Sequence, residues 1–228
     1  MKPWKVKGWL LPKGGADFVC KMEGVLDVYE RPYNKNHPVL CLDESPKQII
    51  SEVNTSFIDA EGIWHQDYEY KRKGVKSLYL ITEPLGGYRE VYVEENHNSL
   101  TYAKVIQQIV EGPYKNVDRI TIIEDNLSAH KLSSLYEILP PQKARSIINK
   151  IEIVRTPPHA SWLNVAECEL SVLNRCGLKN RIADEDQLKK EVAAWVKYRN
   201  KNQKGVDWQF TSKDARIKLK RLYPSYLG

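Results

Sequence analysis

The stretch from Arg119 to Glu169 constrains the fold more than any other: RITIIEDNLSAHKL and, after a spacer, IEIVRTPPHASWLNVAECEL. It reads as an apolar strand ending at Asp125-Asn126, an intervening helical segment, a second short strand, and a helix that opens near Ser161-Trp162-Leu163-Asn164 and carries Glu167. An acid at the mouth of a strand and another on a following helix can meet at a sheet edge and hold a metal ion. The third acid that such a site needs stands upstream in HPVLCLDES. There Asp43 ends the run Val39-Leu40-Cys41-Leu42, of the kind that becomes a strand buried on both faces.

The rest of the chain supplies elements around these three. Phe18, Val19, Met22, Val25, Leu26 and Tyr29 recur at helical spacing and predict a helix over 16–30 with one face for a sheet. Residues 47–53 read as a short apolar segment and 54–73 as a polar excursion. Two β-rich runs, 76–83 and 88–94, flank Pro84-Leu85-Gly86-Gly87, a hairpin signal because paired glycines supply positive φ. Asn98 or Ser99 caps a helix to about Val110, with Leu100, Val105, Ile106, Ile109 and Val110 on its apolar side. If that helix is a crossover, the strand over 119–124 runs parallel to the first, and Asp43 and Asp125 share one end of the sheet.

A helix bearing Leu132, Leu135, Tyr136 and Leu139 breaks at Pro140-Pro141; a second carries Ala144, Ile147 and Ile148; and 151–154 form a fifth strand. Asp184 and Gln187 make a capping box for a helix bearing Leu188, Val192, Trp195 and Val196. Thr211-Ser212 caps a last, basic helix over 213–221. The predicted architecture is α/β: a mixed five-stranded sheet in the order βββαβαβα, flanked by helices, with a C-terminal helical extension. Boundaries fall after a basic arm and helix (1–36), a core (37–180) and a basic extension (181–228).

Charge adds a weak constraint. With 35 Lys and Arg against 29 Asp and Glu, the net +6 favours a polyanionic partner without requiring one. No apolar run approaches the roughly 20 residues that span a bilayer, and the start lacks a signal-peptide core, so a cytoplasmic protein without membrane contact is expected. Cys20, Cys41, Cys168 and Cys176 show no C-x-x-C pairing, which predicts reduced, mostly buried thiols and argues against zinc.

Three motifs in order, Leu42-Asp43-Glu44, Asp125-Asn126 with His130, and Pro157-Pro158-His159 leading through Ser161-Trp162-Leu163-Asn164 to Glu167, resemble those of the DDE transposases. The likeness is to the mariner-like branch found in bacterial insertion sequences, the insertion sequence 630 family, and reaches the tail at Val206-Asp207-Trp208 and over 214–221. Asp125 and Glu167 lie 42 positions apart, wider than in mariner elements themselves, with the extra length around Pro140-Pro141.

The resemblance implies a ribonuclease H-like fold and two-metal-ion phosphoryl transfer on double-stranded DNA, at the transposon ends and at a target, usually a TA step. Asp43 would bridge two Mg²⁺ ions, with Mn²⁺ as a substitute, while Asp125 and Glu167 would each complete one. Acid-only ligation suits such hard ions. It further implies a homodimer at the bacterial nucleoid. The helix-turn-helix segment that reads the element ends is not legible before residue 37, so a separate or fused polypeptide is expected to supply it.

Each assignment has a plainer competitor. Asp43 and Asp125 are also good turn residues after strands. On helix α-periodicity, the apolar arc of Trp162, Val165, Ala166, Leu170 and Leu173 is centred closer to Glu169 than to Glu167, and only the motif spacing after Asn164 selects Glu167. His130 is a candidate phosphate contact or a structural histidine; Asn126 a candidate to orient Asp125. His159 and Ser161 are candidates to hold DNA backbone, Ser161 equally a helix cap. Lys213, Arg216, Lys218, Lys220 and Arg221 form a DNA-facing helix or a solvated one. A ribonuclease H-like nuclease acting on another nucleic acid, or an inactive DNA-binding relic, are the rival functions.

Overall fold

The computed structural model describes residues 14–54, 56–65, 68–202 and 204–225. The basic arm lies outside them up to residue 13. Strands are β1 (Val39–Glu52), β2 (Phe57–Ile58), β3 (Trp64–His65), β4 (Tyr70–Thr82), β5 (Arg89–Glu94), β6 (Ile120–Glu124) and β7 (Ile151–Arg155). Helices are α1 (Ala16–Tyr29), α2 (Ser99–Glu111), α3 (Leu135–Ile138), α4 (Pro141–Lys150), α5 (Val165–Val172), α6 (Glu185–Asn202) and α7 (Ser212–Lys218).

Five strands form one sheet in the order β5-β4-β1-β6-β7, and β2 pairs with β3 in a separate two-stranded ribbon. The β1–β4 and β4–β5 pairs are antiparallel, whereas β1–β6 and β6–β7 are parallel. This is the expected ribonuclease H-like order: an antiparallel meander continued by two parallel strands whose crossovers contain helices. The β4–β5 connection closes with Gly87 at φ 74°, the left-handed conformation that a glycine adopts without strain.

Alternation along the central strands divides the core into two layers. Val39, Cys41, Leu78, Leu80 and Ile123 face a cluster built with α1, α5, α6 and Ala215 of α7. Leu40, Leu42, Tyr79, Ile81, Ile120 and Ile122 face the other, completed by α2, Leu135 of α3 and α4. The helices of the expected N- and C-terminal segments thus share a hydrophobic layer with the sheet, and Trp208 stacks on Tyr29 with ring centroids 4.4 Å apart.

Local signals account for the helix ends. Asn98 accepts from the Thr101 amide at the start of α2, Pro141 supplies a preset φ at the first turn of α4, and Thr211 with Asp214 forms a complete capping box on α7. Asp184 Oδ1 accepts from the Gln187 amide, and Gln187 returns to the amide of Ala183, one residue earlier than the box expected.

Several expectations are corrected. The first strand does not end at Asp43 but continues to Glu52, paired with β4 across an irregularity between Gln48 and Ile50. Of the region expected to be a polar excursion, Tyr70 to Lys73 are the start of β4, and Phe57–Ile58 and Trp64–His65 form the separate ribbon. The β4 residues Tyr70 to Val75 are exposed, so no alternation of burial marks them as strand. Leu100 and Tyr136, expected on buried faces, are exposed; Tyr102 and Ala103 take the inner face of α2. The last helix stops at Lys218, and residues Lys220–Leu222 form a separate 3₁₀ turn. Of the four thiols, only Cys41 is buried.

Candidate metal-binding site

Strand register places the first two acids. The last pair of the parallel β1–β6 ladder is Cys41 with Ile123, and Asp43 and Asp125 each follow two residues beyond it, at the same end of adjacent strands. Side chains two residues apart in a strand share a face, so Asp43 falls on the Cys41 side of the sheet, the side that α5 covers. Asp125 stands just past the end of β6 and near enough to Asp43 to raise its carboxyl. Pairing with β6 ends before Asp43, so the carboxylate emerges where the sheet splits rather than where its strand stops.

Asn164 brings in the third acid. Buried at 2% exposure, it donates from Nδ2 to the Leu42 carbonyl at 2.9 Å and accepts the Ala166 amide on Oδ1 at 3.1 Å. One side chain thus caps α5 and ties its first turn to the backbone beside Asp43. Tyr29 adds a second tie, its hydroxyl donating to the Leu163 carbonyl at 2.6 Å. Helix α5 starts at Val165 behind a 3₁₀ turn of Ser161–Leu163, so the cap is Asn164 and not Ser161, which is exposed.

The two glutamates of α5 separate cleanly. Glu169 is the buried one, as periodicity had it, but its carboxylate is taken by Arg89 Nη2 at 2.8 Å and Arg199 Nη2 at 2.8 Å. Glu167 is exposed in the first turn and close enough to Asp43 to act on it electrostatically. Burial pushes the Asp43 carboxyl up to about 7, and the like charges of Glu44, Glu167 and Asp125 add to the rise, against the Glu44 amide that Asp43 Oδ1 accepts at 2.8 Å. That is a surplus of negative charge on oxygen donors, which fits a hard divalent cation. The acids are not closed into a cage: among the described residues no three His, Cys, Asp or Glu side chains are grouped tightly enough to grip an ion as they stand.

His130 lies behind this face, 4% exposed and stacked on Tyr102 at 4.7 Å. Its Nε2 is 3.2 Å from Glu44 Oε2, and its Nδ1 is 3.1 Å from Asp125 Oδ1 and 3.8 Å from Glu124 Oε2. Burial opposes its charge, yet the acids around it outweigh burial and hold the imidazolium with a pKa of about 10. The same contact holds the exposed Asp125 carboxyl below its ordinary range. Asp125 Oδ1 also accepts the Leu127 amide at 2.8 Å, so both contacts fall on one oxygen.

Asn126 does not reach the Asp125 carboxylate; its Nδ2 donates to the Thr156 carbonyl at 2.5 Å and pins the loop to the end of β7. His159 is exposed and holds a left-handed backbone at φ 60°. Among the basic candidates, Arg216 makes a double contact with Glu23, both at 2.8 Å, and Lys218 lies 3.1 Å from Asp214. Lys213, Lys220 and Arg221 are exposed.

Sequence reasoning missed the inner partners Glu44, Glu124, Tyr102 and Arg155, and the arginines that hold Glu169. Glu124 carried a legible signal: a lone charge at the end of Ile120-Thr121-Ile122-Ile123, a run buried throughout. Arg89 and Arg199 carried none, because their common partner is 80 and 30 residues away.

The family model described as DDE superfamily endonuclease matches residues 38–189, and the chain belongs to that family. Its fold is similar to solved mariner structures. The Mos1 mariner paired end complex with Mn is matched at a TM-score of 0.53 and 16% identity, over 86% of this chain and 60% of that one. A pre-cleavage Mos1 transpososome is matched at 0.52 and 12% identity, over 97% and 68%; the mariner Mos1 paired end complex with Mg gives 0.51 and 16%, over 97% and 65%. The chain thus spans about three fifths of the first of these relatives. No curated protein matches it. No helix among the described residues is long and apolar enough to cross a membrane.

Proposed function

We propose that the chain is the catalytic part of a transposase of a bacterial insertion sequence, of the insertion sequence 630 family, that cuts double-stranded DNA at the element ends and joins each 3′ hydroxyl to target DNA. The observation that carries this reading is that Asp43 and Asp125 follow the last β1–β6 pair at one end of adjacent parallel strands, with Glu167 of α5 near enough to raise the Asp43 carboxyl. Mos1 structures with the same fold are complexes of paired ends, of strand transfer and of Mn or Mg, which supports the same chemistry here.

Two Mg²⁺ ions, or Mn²⁺ in their place, would supply the Lewis acidity that makes water or a 3′ hydroxyl a competent nucleophile and takes up charge on the leaving oxygen. Asp43 would contribute to both ion sites, and Asp125 and Glu167 would each complete one. Asn164 fixes the turn that carries Glu167, and His130 holds one oxygen of Asp125.

In this reading residues 37–180 are the catalytic core between the 1–36 segment and the 181–228 extension. Lys213, Lys220 and Arg221 would lie along DNA phosphates, as would His159 and Ser161 beside the site. The working form would be a dimer that pairs two ends, acting in the cytoplasm at the nucleoid, with end recognition supplied by a helix-turn-helix segment.

The test is cleavage of supercoiled plasmid in Mg²⁺ and in Mn²⁺. Asp43→Asn, Asp125→Asn and Glu167→Gln are expected to abolish it and Glu169→Gln to retain it. Wild-type rates from Asp43→Asn, or no cleavage by the unaltered chain in either ion, would count against the proposal. Strand-transfer products on a transposon-end duplex would separate transposition from plain nuclease action.

A further inference from the structure

Behind the acids, at the ends of β6 and β7, sits a group of side chains without an assigned role. Glu124 is fully buried, yet it accepts the Tyr102 hydroxyl at 2.8 Å and lies 3.1 Å from Arg155 Nη2. Arg155 is level with Glu124 in the parallel ladder and reaches past it. Its Nη1 donates to the Asp125 carbonyl at 3.0 Å and its Nη2 to the His130 carbonyl at 2.9 Å. One guanidinium therefore spans the loop that starts at Asp125 and closes at His130. Within that loop the His130 amide donates to Leu127 and the Leu127 amide to the Asp125 carboxylate, while the His130 ring stands 3.1 Å from the same carboxylate and Asn126 ties the loop to Thr156, so a guanidinium on both end carbonyls fixes the frame in which these contacts form.

We propose that Arg155 is a positioning residue for Asp125: anchored on Glu124, it grips the carbonyl oxygens at both ends of the 125–130 loop and so aims the Asp125 carboxylate at the site shared with Asp43. The inference rests on the reading of Asp43, Asp125 and Glu167 as metal ligands. Partners that orient a ligand commonly matter to metal affinity by about 10- to 100-fold. A lysine cannot replace this arginine, because a single ammonium does not present the planar fork that meets two carbonyls and a carboxylate at once.

Charge and position predict opposite signs. By its field alone a cation beside the site repels Mg²⁺ or Mn²⁺, so removing it would tighten binding. Positioning predicts that removing it weakens binding, and that Arg155→Lys, with the charge kept, weakens it too.

The experiment is Mn²⁺ binding to the whole chain, followed by the paramagnetic resonance of free Mn²⁺ without DNA, together with plasmid cleavage titrated with Mn²⁺. Unaltered chain, Arg155→Lys, Arg155→Gln and Asp125→Asn are compared, with circular dichroism melts to confirm folding; Arg155→Lys, which keeps the pair with Glu124, serves if Arg155→Gln does not fold. Expected is Mn²⁺ affinity about 10- to 100-fold weaker in the Arg155 variants. The half-saturating Mn²⁺ for cleavage should rise in parallel, and the rate at saturation should stay within a few fold of the unaltered chain. A role in folding alone would lower the saturated rate without moving the half-saturating concentration, and would overturn the proposal, as would unchanged or tighter Mn²⁺ binding. If the unaltered chain binds no Mn²⁺, or Asp125→Asn binds it as tightly, the reading of the site falls and this inference with it.

Discussion

Glu167 and Glu169 stand two residues apart on α5, and exchanging each for glutamine should give opposite phenotypes. Glu169 has 8% of its side chain exposed and is bound by Arg89, itself 4% exposed, and by Arg199, about a third exposed. Arg89 also donates to the carbonyls of Gly87 and Lys204, so it cannot turn out to solvent without breaking the end of β5. Removing one partner of a buried ion pair leaves the other charge uncompensated and costs about 3–5 kcal/mol. Arg199 can relax into water and glutamine keeps one acceptor for Arg89, so the lower figure, about 3 kcal/mol, applies to Glu169→Gln. In a domain of this size that is a fall in Tm of roughly 6–12 °C. Glu167 is exposed and repels Asp43, so Glu167→Gln should leave Tm within about 2 °C of the unaltered chain or raise it. Its loss should appear as Mn²⁺ binding and cleavage instead. Thermal and urea unfolding at pH 7 beside Mn²⁺ titration reads both axes. Glu169→Gln melting with the unaltered chain, or Glu169→Gln losing Mn²⁺ while Glu167→Gln keeps it, would refute the assignment of the two acids.

Three further perturbations test the structure away from the three proposed ligands. Glu83 is buried beside the Tyr114 hydroxyl, 3.2 Å away, and burial raises its carboxyl above the ordinary range. A group whose folded pKa is raised stabilises below its unfolded pKa and loses that contribution as pH rises. Glu83→Gln should therefore gain about 2–4 °C in Tm at pH 8 over the unaltered chain, a gain that vanishes near pH 4; no change of the difference with pH would sink the reasoning. Thr211→Ala removes the capping box of α7 and should cost about 1 kcal/mol in urea unfolding, whereas a neutral result would mean that the helix is held by packing alone. Tyr29→Phe leaves the buried Leu163 carbonyl without its hydroxyl donor and should cost about 1–3 kcal/mol, with a wild-type melt as the contrary outcome.

Why some of this was legible in the sequence and some was not follows from what each residue depends on. Val39 to Leu42 and Ile120 to Ile123 are buried throughout, and uninterrupted apolar runs advertise central strands. Asn98 and Thr211 announce helices through contacts three residues away. The outer half of β4, Tyr70 to Val75, has no buried face, so it carried no alternation to read. The proposed site acids were chosen for their place at the ends of apolar runs and for motif spacing, although periodicity on α5 pointed to Glu169. Periodicity reports burial, and it reported burial correctly. It is blind to whether a buried carboxylate is satisfied, because that depends on Arg89 and Arg199, whose side chains meet only after the sheet and α6 have packed.

The same distinction explains how two layers of charge coexist at one sheet end. By alternation along β1 and β6 Asp43 falls on the Cys41 side of the sheet, towards α5, whereas Glu44 and Glu124 fall on the side of Leu42 and Ile122. The inner pair is neutralised from within by His130, Tyr102 and Arg155. Outside that pair, Asp125 has His130 beside its carboxylate and Arg155 close by, and Asp43 is left with like charges that add to burial in raising its pKa to about 7. Had the inner acids been apolar, Arg155 would have lost its carboxylate anchor and His130 would have kept only Asp125, and the loop carrying Asp125 would have lost much of its grip. The inner carboxylates thus serve the outer ones indirectly, by keeping two cations where they can order a loop without occupying the face on which the acids converge.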